Sequence, residues 1–262
     1  MILSDYHVHT KFCDGKSTPE EIVQAALNLN MTDLGFSGHA HMKFDEESTM
    51  SLDGTENYKR EINNLKLKYA DRLRILLGVE QDYYSDLPLD GYDYVIASVH
   101  TLFIDEQNFF HVDYSPEMLC DAAQKYFAGD FYKLAELYYK YESELLNKIK
   151  HEKIIIGHFD LITKYNEKFK LFDENDARYL DAAFNAVDEL VKFNFPFEIN
   201  TGAIARGYRT SPYPNLKILK RIKEKGGRVI LSSDSHHAST LCLKFNECEA
   251  LAESLGLEII KL

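Results

Sequence analysis

Most histidines in this chain stand at the ends of short apolar segments. Eight of the ten do so: His7, His9, His39, His41, His100, His158, His236 and His237. A single histidine in such a place usually makes ordinary polar contacts. Eight imidazoles in equivalent places favour metal binding, because neutral imidazole suits zinc, iron and manganese. Side chains two residues apart on a strand point to the same side. The spacing of His7 and His9 therefore predicts one edge of a metal site.

Carboxylates at the same positions enlarge the predicted site. Asp234 stands two residues before His236, which repeats the spacing of the first pair, and Glu80 ends another apolar segment. A catalytic zinc typically has three protein ligands, so these candidates suffice for two or three divalent ions. We expect Glu80 to bridge two of them. Ions about 3.5–4 Å apart can grip phosphoryl oxygens and activate water, which predicts hydrolysis of a phosphate ester.

The apolar segments alternate with amphipathic helical patterns. Seven strands are predicted, at residues 2–8, 33–38, 74–80, 94–99, 153–157, 196–200 and 228–232. Helices are predicted at residues 19–29, 55–69, 116–150, 176–192 and 242–255, with a short strand at 257–262. This alternation predicts a parallel sheet closed into an α/β barrel with helices outside. The active site of such a barrel lies at the C-terminal ends of the strands, where the candidate ligands stand.

The composition is that of a globular domain, and we expect a single domain over residues 1–262. No apolar run approaches the roughly 20 residues that cross a bilayer. The N-terminus also lacks the pattern of a signal peptide, so we expect a cytoplasmic protein with no membrane partner. The net charge of −12 argues against a nucleic-acid partner, because an acidic protein repels the phosphate backbone. The sequence does not indicate an oligomeric state.

The four cysteines lack the CxxC spacing of a zinc knuckle or a disulfide framework. They are Cys13, Cys120, Cys242 and Cys248. Cys13 stands beside the predicted site and is interpreted either as a loop residue or as a weak metal ligand.

The same residues resemble the motifs of the PHP family, named after polymerase and histidinol phosphatase domains. The matching segments occur in the family's order: Asp5-Tyr6-His7-Val8-His9-Thr10, Asp14-Gly15, Gly38-His39, Gly78-Val79-Glu80, Ser98-Val99-His100, Gly157-His158-Phe159-Asp160, Glu198-Ile199-Asn200 and Ser233-Asp234-Ser235-His236. The resemblance implies a distorted (β/α)7 barrel, in agreement with the seven predicted strands. It also implies the free-standing phosphatase branch, which is similar to the phosphatases that hydrolyse L-histidinol phosphate in histidine biosynthesis.

The resemblance further implies a site for three ions. The first would be held by His7, His9, Glu80 and Asp234, the second by Glu80, His100 and His158, and the third by Asp14, His39 and His236. Some family members carry histidine at the position of Asp14, and Asp14-Gly15 is also typical of a plain turn. The ligand types accept zinc, manganese or iron and do not select among them.

Other polar groups are expected to bind the small phosphorylated substrate. The candidates for substrate binding are Arg206, Arg209, Glu198, Asn200 and His237, and those for catalysis are Glu80, Asp234, His236 and His41. Arginine offers a phosphate dianion a planar fork of donors. Histidine suits acid catalysis or phosphate binding near neutral pH. The Glu198 carboxylate and the Asn200 amide would receive the amino or imidazole group of the leaving alcohol.

Two alternatives stay open at this point. Another PHP-type phosphoesterase would act on nucleotides or small phosphodiesters. A non-catalytic domain would only bind metal, although such a domain has no chemical reason to keep a bridging Glu80.

Overall fold

The computed structural model describes residues 3–262, so Ile2 of the first predicted strand lies outside the described residues. The strands in this part of the chain are β1 (Ser4–Asp5), β2 (Asp33–Phe36), β3 (Arg74–Asp82), β4 (Tyr94–Ser98), β5 (Thr101–Phe103), β6 (Phe109–His111), β7 (Ile154–Ile156), β8 (Phe197–Asn200) and β9 (Val229–Ser232). Seven of them form one parallel sheet in the order β1-β2-β3-β4-β7-β8-β9.

The sheet closes where the segment after β1 meets the segment after β9. The backbone N–H of His9 donates to the carbonyl oxygen of Ser235 at 2.8 Å. The N–H of Ser235 donates in turn to the carbonyl oxygen of His7 at 3.0 Å. The predicted barrel of seven parallel strands is therefore confirmed. His7 and His9 lie at its seam.

Helices cover the outside of this sheet. They are α1 (Pro19–Asn28), α2 (Leu52–Lys68), α3 (Pro116–Phe127), α4 (Phe131–Lys148), α5 (Asn166–Phe169), α6 (Ala177–Leu190), α7 (Gly202–Ala205), α8 (Leu216–Glu224) and α9 (Phe245–Leu255). α1 begins with a capping box between Thr18 and Glu21, with Pro19 in its first turn. Over residues 3–262, no helix has both the length and the apolar character needed to cross a membrane.

The helical segment predicted over residues 116–150 is divided into two helices, α3 and α4. α3 ends at Phe127, its C-cap residue Ala128 has a φ of 55°, and Gly129 follows with a φ of 79°. This left-handed conformation favours glycine and ends an α-helix. Asp130 then caps α4, because its carboxylate accepts hydrogen bonds from the N–H groups of Tyr132 and Lys133.

β5 and β6 form an antiparallel hairpin that the sequence pattern did not indicate. The hairpin follows β4 directly and pairs Thr101 with His111. Strands of three residues are too short to display a period of two. The hairpin brings His111 and Asp113 into the same cleft as His100, which stands at the end of β4.

Large apolar side chains fill the barrel interior beneath the strand ends. They are Tyr6, Leu76, Tyr94, Ile96, Ile155 and Ile230. Gly78 makes room for the Tyr94 ring, since a Cβ at this glycine would lie 2.3 Å from Tyr94 Cζ. Leu76 and Glu80 share one face of β3, because alternate residues of a strand point the same way. The apolar filling therefore leads directly up to a polar cluster at the barrel mouth.

Candidate metal centre

Nine histidine and acidic side chains converge at the C-terminal end of the barrel. They are His7, His9, Asp14, His39, Glu80, His100, His158, Asp234 and His236. They form overlapping groups whose potential ligand atoms all lie within 4.8 Å of one another. Parallel strands end at the same edge, so residues far apart in the sequence meet there. The structure thus brings together every predicted ligand, and metal binding by them stays a prediction.

The first group surrounds one carboxylate oxygen of Glu80. Its Oε2 lies 3.0 Å from His7 Nε2 and 3.4 Å from His9 Nε2. Asp234 Oδ1 lies 3.4 Å from His9 Nε2 and 3.9 Å from His7 Nε2. Ligand atoms at about 2.1 Å from a tetrahedral zinc ion would be about 3.4 Å apart. The two imidazole nitrogens and Glu80 Oε2 are buried without hydrogen-bond partners among the described residues, so this donor set fits a divalent ion.

The second group surrounds the other oxygen of the same carboxylate. Glu80 Oε1 lies 2.9 Å from His158 Nε2 and 3.3 Å from His100 Nε2. The two imidazole nitrogens are 3.2 Å apart. Glu80 therefore offers one oxygen to each of two neighbouring groups, which is the arrangement that a bridging carboxylate needs.

The third group lies beside the turn that follows His9. Asp14 Oδ2 lies 3.0 Å from His236 Nε2, and Asp14 Oδ1 lies 3.8 Å from His39 Nε2. The Oδ1 atom is buried and has no hydrogen-bond partner within residues 3–262. Asp14-Gly15 does form a turn, because the N–H of Gly15 donates to the carbonyl oxygen of Thr10. The turn aims the carboxylate at the two imidazoles, so the two interpretations of this motif are compatible.

Attraction between buried carboxylates and imidazoles shifts the pKa values of both kinds of group in this cluster. Burial lowers the pKa of His7, but the carboxylates of Glu198 and Glu80 outweigh it and hold that pKa well above its usual value. Burial raises the pKa of Glu80, but nearby imidazoles outweigh it and hold that pKa well below its usual range. Burial and neighbouring imidazoles lower the pKa of His9 to about 3. In the absence of metal, protons on selected imidazoles therefore balance the buried carboxylates.

Glu198 and Asn200 lie behind the cluster and not on its open side. Both side chains are fully buried. Glu198 Oε1 accepts a hydrogen bond from His7 Nδ1 at 2.7 Å, and Oε2 accepts one from the N–H of His158 at 2.9 Å. Asn200 donates to Glu198 and accepts from the N–H of Gly202. We expected both side chains to bind substrate, but these contacts use their polar atoms within the protein.

Asp82 also supports the ligand His100 from behind, and it was not among the residues predicted from the sequence. Its Oδ2 accepts a hydrogen bond from the N–H of His100 at 2.8 Å and lies 3.4 Å from His100 Nδ1. Asp82 stands two residues after Glu80 on β3, so the period of two could have placed it on the same face. Cys13 Sγ lies 3.5 Å from His9 Nδ1, on the side of that ring opposite Nε2. Cys13 is therefore placed behind His9 and not among the three ligand groups.

The backbone around Asp234 is shaped for this site. Asp234 has a φ of 50°, a conformation that non-glycine residues rarely adopt. Gly202 faces its carboxylate, and a Cβ at Gly202 would lie 2.4 Å from Asp234 Oδ2. The strained residue and the missing side chain together let the carboxylate reach the cluster.

A cleft of about 120 Å³ opens above the ligands. Arg206 and Lys164 both line it. It adjoins an outer cleft of about 200 Å³, whose lining includes Asp45, Asp113 and Tyr114. Neither Lys164 nor Asp113 was among the residues predicted from the sequence. Lys164 could have been found, because it follows β7 in a loop at the C-terminal end of the barrel, where functional groups concentrate.

The two predicted arginines have different surroundings. Arg206 Nη2 donates to Asp234 Oδ2 at 2.8 Å, and Nη1 lies 2.9 Å from His236 Nδ1. Arg209 Nη1 donates to the carbonyl oxygen of Thr163 at 3.0 Å and lies 3.4 Å from Glu174. Arg209 does not line the cleft above the ligands. Its guanidinium instead ties the loop after α7 to the segment after β7.

Neither His41 nor His237 joins the cluster. His41 Nδ1 donates to the carbonyl oxygen of Met50 at 3.0 Å, and its side chain lines a separate cavity of about 510 Å³. His237 is exposed, and its Nδ1 accepts a hydrogen bond from the N–H of Ser239. His237 directly follows the ligand His236, and adjacent residues of an extended segment point to opposite sides. His41 lies two residues after His39, and its hydrogen bond to Met50 holds it away from the cluster.

Comparisons with known proteins agree with this geometry. The sequence profile of the PHP domain matches residues 5–202 of the chain. The chain is 26% identical to a probable histidinol-phosphatase of Schizosaccharomyces pombe, over 98% of this chain and 88% of that protein.

Two solved structures share the fold. The putative histidinol phosphatase HisK of Listeria monocytogenes superposes with a TM-score of 0.78 at 21% identity, covering 93% of this chain and 99% of that chain. Histidinol phosphate phosphatase HisK of Lactococcus lactis subsp. lactis, in complex with Zn, L-histidinol and phosphate, gives a TM-score of 0.76 at 22% identity. The latter match covers 99% of this chain and 95% of that chain.

Proposed function

The chain belongs to the PHP domain family, and we propose that it is a metal-dependent phosphomonoesterase that hydrolyses L-histidinol phosphate to L-histidinol and phosphate. The observation that carries this proposal is the placement of Glu80, whose two oxygens face two different groups of histidines. The names and the bound molecules of the relatives support this choice of substrate.

We assign the three ligand groups to three divalent ions, of zinc, manganese or iron. Four buried atoms without a hydrogen-bond partner among the described residues support this assignment. They are His7 Nε2, His9 Nε2, Glu80 Oε2 and Asp14 Oδ1. Ions held there would act as Lewis acids on phosphoryl oxygens and would make water a better nucleophile.

We assign phosphate binding to Arg206 and Lys164, which line the cleft above the ligands. Lys164 Nζ contacts the carbonyl oxygen of Asp113 at 2.7 Å and its carboxylate at 3.0 Å. An ammonium group has three donor hydrogens, so one remains for a phosphoryl oxygen. Arg206 already donates to Asp234, and its remaining N–H groups can serve the phosphate. Lys164 thus takes the role that we expected for Arg209.

Asp234 is the best placed residue to take the proton of the attacking water. Its Oδ1 faces the first ligand group, while Arg206 holds its Oδ2. The Arg206 contact fixes the carboxylate geometry, and a fixed base at the cleft can act without reorientation. Burial raises the pKa of Asp234, but Arg206 and His7 outweigh it and keep that pKa well below its usual range. The carboxylate is therefore charged near neutral pH, which is the state that a base requires.

The outer cleft supports a leaving alcohol that carries a cation. Asp45 and Asp113 supply carboxylates on its lining, and Tyr114 supplies an aromatic ring. An ammonium or imidazolium group is attracted by both kinds of partner. The substrate would then place its phosphate between Arg206 and Lys164 and its cationic end near Asp113.

A comparison of three substrates tests the proposal. Protein reconstituted with zinc, manganese or iron is assayed for phosphate release from L-histidinol phosphate, an aryl phosphate and a dinucleoside phosphodiester. We expect kcat/KM for L-histidinol phosphate to exceed that for the aryl phosphate by about a hundredfold or more, because the charged groups of the outer cleft have no partner on the aryl ester.

The Glu80→Ala variant provides the background for this assay. It should lose most of its bound metal and activity, since two ligand groups share the missing carboxylate. Equal or better turnover of the aryl ester by the unmodified protein would contradict the proposed substrate. Preference for the phosphodiester would favour the nucleotide-directed alternative.

A further inference from the structure

We infer that Glu198 is a positioning residue that couples the first and second ligand groups and thereby sets the metal affinity of the centre; this inference rests on the proposed metal-dependent function. Glu198 lies on β8 and touches neither the cleft nor the ligating face of any imidazole. Its effect would pass through the residues that it holds.

Three donors converge on this one carboxylate. His7 Nδ1 donates to Oε1 at 2.7 Å. The backbone N–H of His158 and the side-chain amide of Asn200 both donate to Oε2, each at 2.9 Å. His7 belongs to the first ligand group and His158 to the second. One buried side chain therefore holds a ring from one group and the backbone of a residue from the other.

The contact with His7 decides which nitrogen is available to an ion. A carboxylate cannot donate a hydrogen bond, so it requires that Nδ1 of His7 carry the proton. A neutral His7 then has its lone pair on Nε2, the atom 3.0 Å from Glu80 Oε2. Outer carboxylates of this kind fix the tautomer of a ligating imidazole and raise its basicity. The distance between His7 Nδ1 and Glu198 Oε1 is the shortest imidazole–carboxylate distance among the described histidines.

Direct binding of substrate or metal by Glu198 does not fit these contacts. The side chain is 0% exposed, and each of its oxygens already accepts a hydrogen bond from the protein. A ligand or substrate would have to break those bonds within the barrel interior.

Asn200 extends the connection to a third ligand. Its Oδ1 accepts a hydrogen bond from the N–H of Gly202 at 2.8 Å. Gly202 in turn packs against the carboxylate of Asp234. Through this path Glu198 is linked to residues that follow β1, β7 and β9.

Replacement of Glu198 by glutamine tests the inference with little change in volume. The amide has one acceptor oxygen, while three donors converge on its site. If the oxygen faces His7, the amide N–H₂ opposes the donors of His158 and Asn200. If the amide is reversed, His7 must take the other tautomer, which places a proton on Nε2 and blocks that ligand. Either orientation perturbs at least one ligand group.

The measurement is the affinity for Zn²⁺ alone, obtained by competition with a chromophoric chelator, and it needs no substrate. We expect Glu198→Gln to weaken zinc binding by about 10–100-fold, the range found for outer-shell partners of metal ligands. Glu142→Gln is the matched control, because Glu142 is equally buried and accepts a hydrogen bond from Tyr138 and none from the nine ligands. The control should bind zinc like the unmodified protein.

The double variant Glu198→Gln/Asn200→Asp separates positioning from general damage. The carboxylate introduced at position 200 can accept from the new amide group, so the glutamine oxygen is left free to face His7. We expect this variant to recover at least a few-fold of the lost zinc affinity, although the N–H of His158 stays without its partner. Circular dichroism and thermal melting should show that all three variants are folded.

Unchanged zinc affinity in Glu198→Gln would overturn the inference, as would an equal loss in Glu142→Gln. Absence of any recovery in the folded double variant would also contradict it. Measurements on the unmodified protein separate the test of the proposed substrate from the test of the role of Glu198. If it binds zinc but does not hydrolyse L-histidinol phosphate, the proposed substrate fails while the zinc measurements still decide the role of Glu198.

Discussion

At the scale of single residues, Ser98 and Gly157 position the ligand Glu80 although neither is a ligand itself. Ser98 Oγ donates to Glu80 Oε1 at 2.8 Å, and this contact fixes the carboxylate between its two groups of imidazoles. Gly157 makes room for that hydroxyl, since a Cβ there would lie 2.3 Å from Ser98 Oγ. The glycine before His158 thus serves Glu80, which stands on a different strand. Residues without reactive groups hold the reactive ones in place.

Lys164 gives a test at the residue scale. We expect Lys164→Met to raise KM for the phosphate ester by about tenfold, because a hydrogen bond from a charged donor contributes about 1.5–3 kcal/mol. Metal content should not change, since the Lys164 ammonium contacts Asp113 and none of the nine ligands. Steady-state kinetics and elemental analysis of the same sample would check both points.

Lys168→Met is the control for this substitution. Lys168 is exposed in α5 and lies over the Tyr208 ring. It should keep both KM and metal content. A loss of metal in Lys164→Met, or an unchanged KM, would contradict the assignment of Lys164 to phosphate binding.

At the scale of elements, β8 and the short helix after it organise one side of the centre. β8 carries Glu198 and Asn200 inward, and α7 begins immediately afterwards at Gly202. The first residue of that helix lies against Asp234, which follows β9. The contact holds because Gly202 has no side chain.

Gly202→Ala is therefore expected to displace the Asp234 carboxylate. The added methyl group would lie 2.4 Å from Asp234 Oδ2, so the carboxylate or the start of α7 must shift. We expect zinc affinity to fall by about tenfold or more, as for other changes that misplace a metal ligand. Chelator competition measures this effect directly.

Gly226→Ala separates that effect from a general loss of stability. Gly226 has a φ of 76°, and no atom of the described residues lies within 4 Å of an added Cβ. The substitution should cost about 1 kcal/mol of folding free energy through backbone strain. Zinc affinity should stay unchanged. Equal zinc losses in the two glycine variants would argue against a specific role for Gly202.

At the scale of the whole molecule, the barrel concentrates charge at one end. Burial lowers the pKa of His100 as well, but Glu80 and Asp82 outweigh it and hold that pKa well above its usual value. The protonated imidazoles of His7 and His100 stabilise the metal-free fold below their unfolded pKa of about 6.5. That contribution is lost as the pH rises through their higher folded values. Metal binding must displace the same protons.

Stabilisation by zinc should consequently increase with pH. Glu80 and Asp234 have lowered pKa values, so both stay charged between pH 6 and pH 8. Each displaced imidazole proton makes zinc affinity rise by up to about tenfold per pH unit. We expect the zinc-induced increase in Tm to be larger at pH 8 than at pH 6, as measured by thermal melting at fixed free zinc. An equal or smaller increase at pH 8 would contradict protonated imidazoles in the metal-free protein.

The sequence by itself determined the fold class and the types and places of the candidate ligands. Parallel strands in a closed barrel all end at one rim, so a residue at the end of β1 and one at the end of β9 must be neighbours. Period-two alternation also fixed which side chains point inward. His7, Glu80 and Asp234 could therefore be placed together although they are far apart in the chain.

The tertiary structure alone decided which other polar groups serve the site. Glu198 meets His7 across 191 positions of sequence, and Arg209 meets Thr163 across 46. Such partners depend on how separate elements pack, which local patterns do not encode. The hairpin of β5 and β6 and the break between α3 and α4 were missed because short strands and single αL residues carry little periodic signal. Packing thus turned Arg209 away from the cleft, brought Lys164 into it and set Glu198 behind the ligands, since a buried polar group stays where hydrogen bonds satisfy it.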